Sequence, residues 1–382
     1  MIVDADILRD SAQQFAEREY SFTARQKSVA SDGSSVDRYW LTFADLGWLG
    51  AALPEDVGGI GGSIAETCVI MEQLGRALIA EPLLGSAVLA AQVLSRIHDA
   101  PGVDELLAKV SAGEIRVALA YEEDNSRGNF LTARAEASRE GEFYRISGHK
   151  IAVLGAPHSH KLIVTASVGS ELALFVVDAH ANNVETLAYR GYDGLSAANI
   201  RFKGVEVPAS AKIASDATAQ AALHWGFDQF RMAEAAIQLG VMQVAFEMTR
   251  DYLKTRKQFG KALAEFQVLQ HRLADIYINI EEARALHRRC LAIAQKFGEI
   301  DAVSLATMMH RMRNAARFVA MQTVQLHGGI GMTDEYIVGH CCRYLTVAGL
   351  RHGNARQYLD VLADKFAARD QGRETSILRK PG

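Results

Sequence analysis

Proline placement constrains this chain most. Pro54, Pro82, Pro101, Pro157 and Pro208 all precede residue 209, and only Pro381 follows. An interior proline removes a helical hydrogen bond and clashes with the preceding turn, so the long proline-free stretch is open to long helices. Three zones result. Residues 1–114 read as helices joined by a glycine-rich loop, DVGGIGGS (56–63). That loop lacks the GxGxxG spacing after a strand and carries no nucleotide role on its own. Residues 115–217 change period. ELALFVVD (171–178) is a near-continuous apolar run, and KLIVTASV (161–168) is a second β-rich run. NIRFKGVEVP (199–208) reads as a short strand, a turn or bulge, and a second strand, while SGHK (147–150) reads as a turn. This is a small β domain.

Residues 218–382 return to helix. Phe266, Leu269, Leu273, Ile276, Ile280 and Ala283 recur at 3-4 spacing and predict one buried stripe on a long helix. Ile237, Val241, Val244, Met248 and Tyr252 form another stripe. A third helix is predicted to start at Asp301, a good N-cap, and to stop at HGGIG (327–331). Long helices in succession pack as an antiparallel bundle. The predicted fold class is mainly α with a middle β domain. No internal repeat or low-complexity segment is present.

Several function classes are excluded early. The chain has 382 residues, 49 % hydrophobic and 23 % charged, which is long enough to bury a large core without staples. A net charge of -4 leaves no broad basic surface for nucleic acid. Cys68, Cys290, Cys341 and Cys342 make no CxxC or zinc spacing, so reduced thiols and no metal are expected. MIVDADILRDSAQQF lacks a cationic region before an apolar run, and no stretch is long enough to cross a bilayer. A cytoplasmic protein without a membrane partner is expected.

Two stretches remain as chemical candidates. TRKQFG (255–260) follows one bundle helix and precedes the next. Arg256 offers a planar fork of donors suited to phosphate, Gln258 can hydrogen-bond, Phe259 can lie against a ring, and Gly260 lets the backbone turn. The plainer reading is a helix C-terminus where cations complement the dipole and glycine caps. QLHGGIG (325–331) exposes backbone N–H groups beside two glycines, which suits close approach to a phosphate, or again forms a simple cap. No nucleophile constellation is present: there is no GxSxG, HExxH or P-loop. EEARALHRR (281–289) reads as a solvated or interfacial charged face.

Taken together, these residues resemble the acyl-CoA dehydrogenase family over nearly the whole chain. LGWLGAALPEDVGGIGGS (46–63) and GRALIAEPLL (75–84) are similar to the family's N-terminal domain. YLKTRKQFGKALAEFQVLQHRLADI (252–276) and QLHGGIGMTDEY (325–336) are similar to its long C-terminal motifs. The resemblance implies an N-terminal helical domain (1–114), a middle β domain (115–217) and a C-terminal four-helix bundle (218–382), assembled as a dimer of dimers. It implies FAD as cofactor. In the family, an arginine, a polar residue and a phenylalanine reach the ADP half of an FAD held mainly by the neighbouring subunit. Here these are Arg256, Gln258 and Phe259, with Phe266 close by. Gln325, Leu326, His327, Gly328 and Gly329 would hold the same part of the cofactor.

The resemblance breaks at the chemistry. Family enzymes take the α-proton of an acyl-CoA with a carboxylate while a hydride leaves the β-carbon for the flavin. The usual glutamate precedes a Gly-Thr pair; here LRHGNARQY (350–358) puts His352 in its place and Asn354 where threonine is expected. Some members carry the glutamate on the first bundle helix before an arginine, and here that pair is Phe230-Arg231. The Thr-Glu-Pro…Gly-Ser-Asp segment corresponds to AYEEDNSRGN (120–129). The Lys-x-Trp-Ile-Thr-Asn segment corresponds to KIAVLG (150–155), with Ala152 for the tryptophan that would cover the flavin and Leu154 for the threonine. The surfaces that would serve a neighbour's FAD are kept, while those for this chain's own flavin ring are not. The expectation is therefore a small or non-catalytic-type subunit of a heteromeric acyl-CoA dehydrogenase, a heterotetramer in lipid or steroid catabolism. Its second family subunit carries the base, and electrons pass to an electron-transfer flavoprotein. The alternatives are a self-sufficient homotetramer using His352 or Arg231 in an atypical site, and a non-enzymatic scaffold of the same fold. A flavin monooxygenase of this fold is no better served by the eroded ring site.

Overall fold

The structure is a computed structural model, and it describes residues 5–370 except 32–33, 98–99, 125 and 127. Asn125 and Arg127 of the 120–129 stretch, and Pro381, therefore lie outside the described residues. The chain divides into two compact units, Met1–Val241 and Met242–Gly382.

The first unit opens with helices α1 (Ala5–Arg18), α2 (Phe22–Ala30), α3 (Ser34–Asp45) and α4 (Ile64–Arg76). Phe15, Tyr20, Tyr39, Phe43 and Trp48 pack ring to ring, with centroids 5.0–5.9 Å apart. The glycine-rich loop ends at Ser63, which caps α4 in a box with Glu66: the Ser63 side chain accepts from Ala65, and Glu66 accepts from the Ser63 N–H. A π-helical turn (Leu84–Ala90) runs into α5 (Ala91–Leu94), and α6 (Val103–Ser111) precedes the sheet.

The sheet has eight strands: β1 (Val117–Ala120), β2 (Glu136–Glu140), β3 (Phe143–Leu154), β4 (Lys161–Val168), β5 (Glu171–Asp178), β6 (Val184–Arg190), β7 (Ser196–Pro208) and β8 (Lys212–Ser215). Their order is β6-β7-β3-β2-β4-β5-β8, with β1 parallel to β4. Ile146, Val164, Phe175, Ile200 and Phe202 are central to one apolar core. The predicted runs 161–168 and 171–178 are β4 and β5 residue for residue. The 199–208 stretch lies in one strand with a register shift opposite Ile146/Ser147, so the bulge is correct and the turn is not.

SGHK is not a turn. Ser147, Gly148, His149 and Lys150 pair with Lys203, Phe202, Arg201 and Ile200 in the middle of β3. The glycine is there because a Cβ would lie 2.5 Å from the Ala135 side chain. A close approach across the sheet, not chain reversal, fixes the residue.

Helix α7 (Asp216–Thr255) begins in the first unit and ends in the second. The second unit continues with α8 (Gln267–Phe297), α9 (Ala302–His327), α10 (Ile337–Ala348) and α11 (Ala355–Asp370). Asp301 caps α9 by accepting from the Ser304 N–H at 2.9 Å, and α9 stops at His327 as predicted. The α8 stripe is buried at Ile276, Ile280 and Ala283 and only half-buried at Phe266, Leu269 and Leu273. The α7 stripe is offset. Val241, Met242, Ala245, Thr249 and Leu253 are buried, whereas Val244, Met248 and Tyr252 are half-buried. Within 281–289, Ala283 and His287 face inward, and the half-buried Arg284 bonds Glu281 and Gln243. The architecture is mainly α with a central β sheet.

Candidate functional site

TRKQFG ends a helix but does not cap it with glycine. After α7, the Arg256 N–H donates to the Tyr252 carbonyl at 2.8 Å, and the Arg256 carbonyl accepts from Leu263 at 2.9 Å. Between these bonds, β9 (Lys257–Gln258) pairs antiparallel with β10 (Lys261–Ala262). Phe259 and Gly260 form the two-residue turn, with φ of 52° and 83°. Two left-handed residues in succession give the turn that matches strand twist in a tight hairpin. Arg256, Lys257, Gln258 and Phe259 are all exposed, and Phe259 is 89 % exposed. Phe266 meets Phe259 edge to face at 6.2 Å, and the Lys261 ammonium lies 4.2 Å from the centre of the Phe266 ring.

The second stretch leaves α9 at Gly328, with φ 66° and ψ −142°, a conformation only glycine adopts readily. Gln325, Gly328 and Gly329 are exposed, while Leu326 and His327 point inward. A Cβ at Gly328 or Gly329 would meet nothing within 4 Å, so bare backbone is accessible there. His327 stacks on Tyr252 at 4.6 Å and 28°, and Tyr336 covers it at 5.2 Å. Tyr252 lies in the last turn before Arg256, so one buried ring touches the helix that leads into the hairpin and ends the helix that leads into the glycines.

The catalytic candidates are elsewhere. Phe230 is fully buried. Arg231 pairs with Asp228 at 2.8 Å, with its guanidinium 5.9 Å from the rings of both Phe130 and Phe227. Phe130 stacks on Phe227 at 4.1 Å, Tyr121 meets Phe227 at 4.8 Å, and His224 meets Phe130 at 5.2 Å. Tyr121 and Phe130 are thus held on α7 by aromatic contacts that no sequence motif announced. His352 is half-buried in a tight turn with φ 54°, and its carbonyl accepts from the Tyr358 hydroxyl at 2.7 Å.

Sequence reading also missed a buried ion pair. The Lys150 ammonium donates to Glu123 at 2.6 Å and to the Thr165 hydroxyl at 2.8 Å. Glu123 accepts as well from the Arg134 and Ala135 N–H groups. Burial pushes the Lys150 pKa down to about 8, against the upward pull of Glu123. Burial would raise the Glu123 pKa, but its bonds to Lys150 and the two amides outweigh this and hold it below the usual carboxylate value. Both residues lie in the stretches where the family pattern fails. The position that should cover a flavin is Ala152, exposed at φ 51°, its N–H donating to the Asn199 side chain at 3.1 Å. Leu154 is half-buried two residues on. Among the described residues, no group of three or more His, Cys, Asp or Glu side chains could hold a metal ion, and no helix is long and apolar enough to cross a membrane.

Residues 4–114 match the N-terminal domain of acyl-CoA dehydrogenase, and residues 219–367 match its C-terminal domain. The chain is 27 % identical to mitochondrial isovaleryl-CoA dehydrogenase of Oryza sativa subsp. japonica, covering 87 % of this chain and 86 % of that protein. It is 30 % identical to a solved variant of the Tcur3481-Tcur3483 steroid ACAD, covering 96 % of this chain and 98 % of that one, with a TM-score of 0.85. The ChsE4-ChsE5 complex from Mycobacterium tuberculosis shares the fold at 24 % identity and a TM-score of 0.85, over 96 % of this chain and 98 % of that one. Two domain matches that together span most of the chain, with a relative 30 % identical over 96 % of it, make this protein a member of the acyl-CoA dehydrogenase family.

Proposed function

We propose that this chain is the subunit of a heteromeric, FAD-dependent acyl-CoA dehydrogenase that completes its partner's cofactor site and lacks a working one of its own. The observation that carries this is the replacement of both carboxylate positions. Phe230 is fully buried, and His352 stands in a turn whose carbonyl is bonded to Tyr358. Proton abstraction from the α-carbon needs a base within hydrogen-bond reach of that proton, and Phe230 supplies none.

The two halves of an FAD fit this chain unequally. For the ADP half, Arg256 has exposed donors for a pyrophosphate, Gln258 has an amide, Phe259 has a free ring face, and Gly328 and Gly329 have open backbone. For the ring half the fit fails: Ala152 gives no aromatic cover, and Tyr121 and Phe130 are committed to Phe227. The flavin, when bound in the pair, supplies the hydride acceptor. Arg256, Gln258, Phe259, Phe266 and the 325–329 loop bind and orient its ADP half. The second family subunit supplies the carboxylate and the acyl-CoA site. The reaction is α,β-dehydrogenation of a thioester, with electrons leaving to an electron-transfer flavoprotein. The likeness to a steroid ACAD favours a bulky acyl group.

Flavin absorbance of the chain purified alone, and co-purified with a family member that has the glutamate, tests the reading. The expected result is no flavin alone and about one FAD per pair, lost in Arg256→Ala. Full flavin on the lone chain would overturn it in favour of a homotetramer with an unusual base around His352. No flavin with any pairing would leave a scaffold.

A further inference from the structure

We infer that His327 is a positioning residue: a buried imidazole that sets the hairpin 256–262 against the glycine loop 328–332, so that the two halves of the anion hook act as one site. The inference rests on the reading of these stretches as a hook for the ADP half of FAD. It departs from that reading on what His327 itself does, because a ring only 4 % exposed cannot be a principal contact for a ligand on the surface.

Three elements converge on this side chain. It is the last residue of α9, immediately before the open backbone of Gly328. Its ring stacks on Tyr252, whose carbonyl accepts the Arg256 N–H and so starts the hairpin. Tyr336, the residue before α10, closes the other side. Aromatic stacking holds both ring separation and tilt, which a flexible aliphatic contact does not. The ring is also fixed in rotation. Nδ1 lies 2.8 Å from the Thr323 carbonyl oxygen. A carbonyl only accepts, so Nδ1 carries the proton and donates.

Nε2 is buried and makes no hydrogen bond of normal geometry. Burial is the largest influence on its titration and pushes the pKa below the ordinary histidine value, against smaller upward pulls from the Thr323 and Met248 carbonyls. A buried polar nitrogen is a cost that packing alone does not require. Phenylalanine would fill the same slot without it. Histidine brings the bond to Thr323, which fixes the ring plane and hence the exit of Gly328 from the helix. A merely filled slot would leave the hairpin and the glycine loop to move independently.

Hydrogen exchange on the chain alone, without cofactor, tests this directly. In His327→Ala, the amides of 257–263 and 328–332 exchange faster together while those of α9 before Thr323 do not change. His327→Gln, which keeps a donor but no ring, loosens both segments in the same way. His327→Phe, which keeps the ring but not the bond to Thr323, restores most of the protection in the hairpin and leaves 328–332 exchanging fast. In the pair with its partner, FAD dissociates about tenfold faster or more from His327→Ala. Unchanged exchange in both Ala and Gln variants would overturn the inference, whatever the flavin does. Coupled loosening with unchanged flavin retention upholds the lock and overturns the hook reading instead, so the two failures are separable.

Discussion

Phe259 shows how one residue reveals a purpose that stability does not explain. It occupies the first turn position of a tight hairpin at φ 52°, where asparagine is favoured, and it is 89 % exposed. A bulky side chain in the left-handed region costs about 1 kcal/mol or more, and no burial within the chain offsets it. The nearest ring, Phe266, touches it only edge to face. A strained and solvated phenylalanine has to be kept by something outside the chain, and in the proposed pair that is the cofactor. Phe259→Asn separates the two demands. Thermal unfolding of the lone chain should show it unchanged or stabilised by about 0.5–1 kcal/mol. Gel filtration of the pair should show flavin lost. A variant that is destabilised yet keeps its flavin would mean that the ring serves the hairpin only. The types of residue in the proposed hook were legible in the sequence, because Arg, Gln and Phe declare their chemistry. The strain was not, since a backbone angle has no letter.

Elements were legible wherever local pattern and tertiary demand agree. Asp301 caps α9, and the apolar runs 161–168 and 171–178 are strands because their side chains fill one core. The misreading at SGHK has the opposite cause, since Gly148 is required by a neighbour, Ala135, that sequence spacing does not bring near. The cluster of Tyr121, Phe130 and Phe227 was invisible for the same reason: Phe227 lies about a hundred positions along the chain from the other two. Glycine has another hidden use where α4 meets α7. A Cβ on Gly75 would lie 2.4 Å from the Ile237 carbonyl oxygen, and one on Gly240 would lie 2.0 Å from that of Glu72. The backbones touch through two reciprocal glycines. Alanine in an exposed helix would gain about 1 kcal/mol in propensity. Here it must push the helices away from each other, and overpacking of that kind costs about 1–3 kcal/mol, with rigid backbone as the obstacle placing it at the high end. Gly240→Ala should therefore lower the urea midpoint despite its better propensity, and a rise would show that the crossing has slack.

At the scale of the whole molecule, the question is what the bundle turns outward. Tyr277 and Ile278 lie in the middle of α8 and are 49 % and 51 % exposed. Single exposed apolar side chains are ordinary, but two adjacent ones in the middle of a long helix, beside Phe246 at 5.7 Å from Tyr277, suit a surface that is covered in an assembly. The proposed subunit needs such a surface, because a chain that completes another's cofactor site works only while bound to it. Burying a charge without a partner at an interface costs several kcal/mol, whereas on a solvated helix it is close to neutral. Ile278→Glu should thus leave the circular dichroism and unfolding midpoint of the lone chain within about 0.5 kcal/mol of wild type. In light scattering, the same variant should shift the co-purified pair towards free subunits, and the flavin should leave with the lost partner. If Ile278→Glu still assembles and retains flavin, α8 faces water in the complex, and the contact that brings Arg256 to a neighbour's cofactor must be made by another face of the bundle.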